Sequence, residues 1–290
     1  MAAIIIDGKA IAAKQRDEIR ERAGLLINRG IRPCLAVILV GEDPASISYV
    51  KAKQKALEEA GMEGRDFRLS QTVSEQELFA LISSLNADDA VHGILVQLPL
   101  PAHIHQEHII SAIDPSKDVD CFHPVSMGKL LLGQPGFLPC TPQGIVILLS
   151  ELKIPVAGSH TVIVGRSNIV GKPLAMLLAR REHNATVTLC HTGTKDLASH
   201  TRQADILIAA AGMAGLVKGD MIKKGAAVID VGVNRVSDDS SRGYSLRGDV
   251  VFEEAQEAAG WLTPVPGGVG PMTIAMLMRN VLQAAENHGR

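Results

Sequence analysis

The chain has 290 residues, with 29 Lys plus Arg against 31 Asp plus Glu, and is 46% hydrophobic but only 3% aromatic. Enough apolar residues for buried cores and no block of like charge exclude a disordered chain, and argue against a nucleic-acid or anionic-membrane partner. Four scattered cysteines, Cys34, Cys121, Cys140 and Cys190, form no C-x-x-C pair and have no His at metal-ligand spacing, which argues against a disulfide framework and a zinc site, and no metal is expected.

The opening MAAIIIDGKA has an apolar run shorter than a signal segment or a membrane span and no basic lead-in, so a soluble, cytoplasmic protein is expected. A helical pattern over about residues 10–28 leads into CLAVILV (Cys34 to Val40), an apolar run of strand length. In the GEDP that follows, Asp43 can cap a helix with Pro44 in its first turn. That helix holds SISYVKAKQKALEEAG (Ser46 to Gly61), in which three lysines alternate. At about 100° per residue Tyr49, Val50, Lys53, Ala56, Leu57 and Ala60 share one face, while Lys51 and Lys55 fall opposite with Glu58 and Glu59. Lys53 thus sits inside the apolar stripe. Two readings follow: a lysine that lays its stem over the core edge and keeps its ammonium wet, or a desolvated amine with a lowered pKa that can carry a proton.

Next come a strand around DFRLS, a helix over 74–86, the strand GILVQ and a helix over about 105–113, whose HIHQEH start reads as a solvated turn. After the Pro- and Gly-rich GQPGFLPCTPQG the rhythm restarts with four strands, TVIVG, ATVTLC, DILIAAAG and AAVIDVG. VSDDSSRGYS (Val236 to Ser245) is expected to be an exposed loop, and WLTPVPGGVGPMT precedes a last helix from Ile274 to about Ala285. Repeated β-α alternation in both halves predicts an α/β protein of two parallel-sheet domains, the second Rossmann-like.

TVIVGRSNIVGKP has a glycine at the end of its strand and a second opening the next helix, without the middle glycine of G-x-G-x-x-G. The following strand ends in CHTGTK with no carboxylate for a ribose 2′-hydroxyl. Arg166, Ser167 and Thr192 instead suit a 2′-phosphate, so NADP is expected over NAD. Gln97 ends a strand before LPLP, DPSKDVD puts Asp118 and Asp120 in one loop, and PVPGGVG offers a backbone that a flat ligand can approach.

Together these segments resemble the bifunctional methylenetetrahydrofolate dehydrogenase/cyclohydrolase family. The matching stretches are DPASISYVKAK, VQLPLP, DPSKDVD, PCTPQGI, GRSNIVGKP, VIDVGVN, GDV and TPVPGGVGPMT, in the family's order. The resemblance implies a folate-binding catalytic domain over 1–139 completed by 270–290, an NADP-binding domain over 140–269, a cleft between them and a homodimer. It implies oxidation of 5,10-methylenetetrahydrofolate with NADP, then hydrolysis of the methenyl product to 10-formyltetrahydrofolate, in one-carbon metabolism. Lys53 matches the family's proton-transfer lysine, Gln97 its hydrogen-bonded partner, Tyr49 the residue stacked on the aminobenzoyl ring and Asp120 the carboxylate that pairs with the pterin. Val96, Leu98, Pro266, Gly267, Gly268, Val269 and Gly270 border the folate by the same match, and Gly165, Arg166, Ser167, Thr192 and Val233 the dinucleotide. That match favours the desolvated reading of Lys53.

Two positions depart from the family pattern. Thr192 stands where serine is usual, and Cys121 stands where the family has glycine. If that residue has positive φ, its Cβ costs on the order of 1 kcal/mol and can shift Asp120. A thiol beside the pterin is also expected to be open to alkylation. The rival functions are a monofunctional dehydrogenase with weakened cyclohydrolase, a shikimate-like NADP dehydrogenase, which leaves Tyr49, Lys53, Gln97 and Asp120 unexplained, and an inactive scaffold, which loss of Lys53 or Asp120 would have favoured.

Overall fold

The computed structural model describes residues 2–239 and 243–288. In chain order the first half contains β1 (Ile4–Ile5), α1 (Gly8–Ile27), β2 (Cys34–Val40), α2 (Pro44–Glu59), β3 (Glu63–Leu69), α3 (Glu75–Ala87), β4 (Gly93–Val96), α4 (Gln106–Ala112) and α5 (Pro124–Leu132). There follow α6 (Cys140–Glu151), β5 (His160–Val164), α7 (Gly171–Leu178), β6 (Thr186–Cys190), α8 (Leu197–Thr201), β7 (Ile206–Ala209) and β8 (Ala227–Asp230). The chain continues through β9 (Asn234–Ser237), β10 (Tyr244–Arg247), α9 (Phe252–Ala258), β11 (Trp261–Leu262) and α10 (Val269–His288). Among the described residues it divides into two compact units, one of Ala13–Cys140 with 274–288, the other of 2–12 with Thr141–Thr273.

In the first unit β2 lies between β3 and β4, all parallel. All seven residues of β2 are buried, as an unbroken apolar run requires of a central strand covered on both faces. α3 starts with a capping box: Ser74 Oγ accepts from Glu77 N, and the Glu77 carboxylate accepts from Ser74 N. Its Leu78, Ile82 and Leu85, at helical spacing, join the core with Ile38, Ile94 and Ile109. Truncating Leu78 or Ile82, both fully buried, to alanine would cost about 2–5 kcal/mol.

In the second unit six parallel strands run β1-β11-β8-β7-β5-β6. The four expected strands are present as β5 to β8, but β6 lies at one edge rather than centrally, and β1 and β11 extend the sheet beyond β8. Those two pair over only two residues, too few to show a period, and β1 draws residues 2–12 into this unit and away from the 1–139 segment.

Several expectations are corrected. The Pro- and Gly-rich stretch ends in an unexpected helix, α6, which has Pro142 in its first turn, and α10 starts at Val269, five residues before Ile274, with Pro271 in its first turn. Proline there removes only an N–H that has no helical partner, so it does not break the helix. Val236 to Ser245 is not simply a loop. Its ends form the antiparallel β9-β10 hairpin, and residues 240–242 lie outside the described residues.

Candidate functional site

The helix of the three lysines begins as expected: Asp43 Oδ2 accepts from Ser46 N at 2.7 Å, and Pro44 occupies the first turn. Val50, Ala56, Leu57 and Ala60 are buried, Lys51 and Lys55 are exposed, and Lys53 is half-buried among the former. Lys53 Nζ donates to Gln97 Oε1 at 2.9 Å. Gln97 is aimed by two bonds, its N–H to Ile38 O at 2.8 Å and its Nε2 to Leu98 O at 2.9 Å, and the peptide from Leu98 to Pro99 is cis. The Asp114–Asp120 loop is drawn beside β4 by Ile94 N donating to Lys117 O at 2.8 Å, which brings Asp120 to the same strand ends.

Burial lowers the Lys53 pKa, against a smaller upward pull from Asp120 and Cys140. Burial likewise raises Asp120, with Lys53 pulling down and Asp118 adding to the rise. Each group is thus moved toward its neutral form, which is the condition for an amine that accepts a proton near neutral pH.

Two residues of this cluster, Cys140 and Asn280, escaped the sequence reading, and Asp118 has a part that its place in the loop did not show. The Cys140 thiol reaches Asp120 Oδ1 at 3.7 Å and Val119 O at 3.5 Å, and burial beside Asp120 holds its pKa well above the ordinary thiol value. Asn280 Nδ2 donates to Val119 O at 2.7 Å and Leu138 O at 2.8 Å, pinning the residue before Asp120. Asp118, 2% exposed, accepts from the N–H groups of Phe122 and His123 at 3.1 and 2.9 Å, tying down the other side. Sequence separations of 20 to 161 residues gave no local signal for Cys140 and Asn280.

Cys121 has φ 61°, so the family's glycine position is a left-handed one and the cost of a Cβ is present. The residue is fully buried and its thiol donates to Phe137 O at 3.2 Å, which corrects the expectation of ready alkylation. Tyr49 presents an exposed ring, 43% accessible, one turn before Lys53, whereas Val96 is a buried strand residue and Leu98 is half-buried. The histidines of HIHQEH are tied up locally: His103 meets Val73 O, and His108 Nδ1 lies 3.1 Å from Glu75 Oε1.

In the second unit β5 is flanked by β6 and β7, so the chain order reverses beside it, the place where open α/β sheets take ligands. Gly165 there has φ 128°, and a Cβ on it would overlap Ala210 O. A Cβ on Gly171, which opens α7, would overlap Gly165 O in turn. The bare backbone of this turn is what a dinucleotide requires. Arg166 and Thr192 are exposed at the ends of adjacent strands, brought together by Gly165 N donating to Cys190 O at 2.9 Å. Ser167 Oγ accepts from Val170 N at 3.1 Å, so it braces α7 while its O–H is left to donate. Val233 is exposed after β8.

Around Val233 two buried aspartates, also missed, organise the backbone. Asp249 Oδ2 accepts from Ala211 N and Gly212 N at 2.6 and 2.8 Å, and its Oδ1 from Met213 N and Asn234 Nδ2, both at 2.9 Å. Asp230 accepts from Gly232, Asp249 and Val250 N–H groups at 2.9–3.0 Å, yet burial and the neighbouring Asp249 push its pKa up to about 6. Pro266, Gly267, Gly268, Val269 and Gly270 form the turn into α10 in this unit, with a cis peptide from Val265 to Pro266. Gly267 has φ 113°, and a Cβ on Gly268 would crowd Pro264 O and the Thr263 Cβ, each at 2.7 Å.

Two family models match the chain, both of one family. Residues 6–120 match the catalytic domain of tetrahydrofolate dehydrogenase/cyclohydrolase, and residues 139–289 match its NAD(P)-binding domain. The chain is 55% identical over 284 residues to the bifunctional protein FolD of Exiguobacterium sibiricum, covering 98% of this chain and 100% of that one. It superposes with a TM-score of 0.94 on the bifunctional FolD methylenetetrahydrofolate dehydrogenase/cyclohydrolase of Campylobacter jejuni, at 51% identity and 99% coverage of both chains. On the Trypanosoma brucei enzyme complexed with NADP cofactor and inhibitor the TM-score is 0.96 at 41% identity, covering 100% of this chain and 99% of that one.

Proposed function

Since this chain belongs to the tetrahydrofolate dehydrogenase/cyclohydrolase family, we propose that it oxidises 5,10-methylenetetrahydrofolate with NADP and hydrolyses the resulting 5,10-methenyltetrahydrofolate to 10-formyltetrahydrofolate. The observation that carries the reading is the half-buried Lys53 hydrogen-bonded to Gln97, with Asp120 close enough to affect its protonation.

The Asp120 carboxylate suits the donor edge of a pterin, and the exposed Tyr49 ring suits the flat aminobenzoyl group. Val96 and Leu98 flank Gln97 along the folate. Gly165, Arg166, Ser167, Thr192 and Val233 would hold NADP, the Arg166 guanidinium and the Ser167 and Thr192 hydroxyls serving its 2′-phosphate. When bound, NADP supplies an oxidised nicotinamide that can accept a hydride.

Loss of hydride leaves the methenyl bridge cationic. Neutral Lys53 accepts a proton from the water that attacks the bridging carbon, giving a carbinolamine. The hydroxyl proton of that adduct then passes to N5 as the C–N5 bond breaks, and one proton leaves to solvent overall. A neutral amine is favoured beside a cation, so bound substrate adds to the depression that burial already imposes. Gln97 holds the lysine in position through these steps.

The unit of Ala13–Cys140 would carry folate and that of Thr141–Thr273 the dinucleotide. No helix among the described residues is long and apolar enough to cross a membrane, and the reading is completed by a cytoplasmic homodimer. A solution mass of 30.8 kDa rather than twice that would remove the dimer. The activity is tested by following NADPH and methenyltetrahydrofolate separately, first from methylene substrate with NADP, then from methenyl substrate alone. Hydride transfer with methenyl decay above the uncatalysed rate is expected; hydride transfer without it would reduce the protein to a dehydrogenase.

A further inference from the structure

Within the unit of Ala13–Cys140, Lys53 and Gln97 lie at the C-terminal end of β4, and a separate cavity of about 410 Å³ opens at its N-terminal end. Val91, Phe137 and Ala284 give it apolar walls. Its titratable lining among the described residues is wholly basic: His92, Lys117, Lys129 and His288.

Two of these groups are buried with donors to spare. His92 is 7% exposed, and its Nδ1 accepts the Cys34 N–H at 3.2 Å, which places the ring proton on Nε2. That Nε2–H has no acceptor among the described residues, although the ring borders the cavity. Lys117 is also 7% exposed. Its ammonium donates to Leu85 O at 3.0 Å and Asp88 O at 2.8 Å, which leaves one N–H over.

The carboxylates nearby stand outside the lining and are engaged. Asp88 is bonded by Arg65 at 2.8 Å, Asp114 by Ser116 at 2.7 Å, and Asp89 lies 3.9 Å from His288 Nε2. The His92 pKa is lowered first by burial and then by the positive charges of His288, Lys117 and Arg65, with only Asp88 opposing. The free His92 Nε2–H and the third Lys117 N–H are left for an occupant of the cavity, and its two ammonium groups, Lys117 and Lys129, favour an anion there.

We propose that this cavity is a second ligand site, which binds a small organic dianion, a phosphate or dicarboxylate, between Lys117, His92 and Lys129. Two ammonium groups match two negative charges, and the apolar walls take the organic body. The site is independent of the activity proposed above, yet an occupant would touch the chain on both sides of Cys121, since Lys117 lies in the Asp120 loop and Phe137 O receives the Cys121 thiol.

The test uses full-length protein at constant ionic strength, titrated with inorganic phosphate and separately with malonate. It is run with the Arg166→Ala variant as well, so that phosphate held at the candidate dinucleotide site is told apart. The readouts are the thermal midpoint and the nitrogen NMR signal of His92 Nε2. A saturable response to either anion is expected, unchanged in Arg166→Ala and weakened by roughly tenfold or more in Lys129→Met, the loss of one charge-assisted bond. The tighter-binding probe identifies the ligand as phosphate or dicarboxylate. Lys129 is exposed, so its replacement leaves the fold intact. A response that does not saturate, that vanishes in Arg166→Ala, or that is equal in Lys129→Met with an unmoved His92 signal would overturn the site.

Discussion

Replacing Cys121 by glycine and, separately, by alanine isolates the strain at its left-handed backbone. At φ 61° an L-residue pays about 1–2 kcal/mol that glycine does not. Against that relief, both variants lose the buried thiol and its bond to Phe137 O, together about 1–2 kcal/mol. Glycine also carries about 0.5–1 kcal/mol of extra unfolded-state entropy relative to alanine. Cys121→Gly is therefore expected within about 1 kcal/mol of the parent, and Cys121→Ala about 1–2 kcal/mol below it. The assay is urea unfolding with the slope checked for constancy. Because Asp118, Asn280 and Cys140 hold the backbone around Asp120, the Michaelis constant for methylene substrate should change less than about twofold in either variant, a loss below 0.5 kcal/mol. Alanine as stable as glycine would refute the strain argument, and a large rise in that constant would show that Cys121 does set Asp120.

Arg166→Ala should raise the Michaelis constant for NADP by about tenfold or more, as expected of one lost charge-assisted bond, with little change for NAD or for hydrolysis of methenyl substrate; steady-state kinetics with both dinucleotides check it. Asp249→Ala strands three backbone N–H groups and the Asn234 amide, so a loss of about 3–5 kcal/mol in unfolding free energy is expected, together with weaker NADP binding. Asp230 carries a pKa of about 6, above its unfolded value, so the stability it contributes is complete below about pH 4 and is lost as pH rises through about 6. Urea midpoints of the parent minus those of Asp230→Asn should fall over that window, and a flat difference would contradict the shift. Asp120→Asn removes the charge that raises the Lys53 pKa, so the acid limb of residual cyclohydrolase activity should move to lower pH; a move upward would exclude Lys53 as the group responsible.

The parts of this site that could be read from the sequence are those set by local periodicity. Lys53 was found because a 3.6-residue period places it with Val50 and Leu57, and Asp43 with Pro44 marked where its helix begins. The central strands announced themselves as apolar runs, β2 most plainly. What stayed hidden depends on contacts distant in the chain. Cys140 meets Asp120, Asn280 holds Val119, and Asp230 meets the backbone of Asp249, and none of these pairs leaves a spacing to notice. Pro142 and Pro271 misled in the opposite way, since a proline in a first turn looks like a break until the helix start is known. The Cys121 substitution was visible, but only its φ decides between strain and harmlessness.

The central claim is that Lys53, hydrogen-bonded to Gln97, takes the proton of the water that attacks the methenyl carbon. It is tested most directly by Lys53→Met, assayed for decay of methenyltetrahydrofolate and, on the same sample, for NADP affinity by calorimetry. Cyclohydrolase activity reduced by about a hundredfold or more, the range of a lost general acid–base group, with NADP affinity unchanged, is the expected result. Methenyl hydrolysis at the parent rate would contradict the assignment of Lys53.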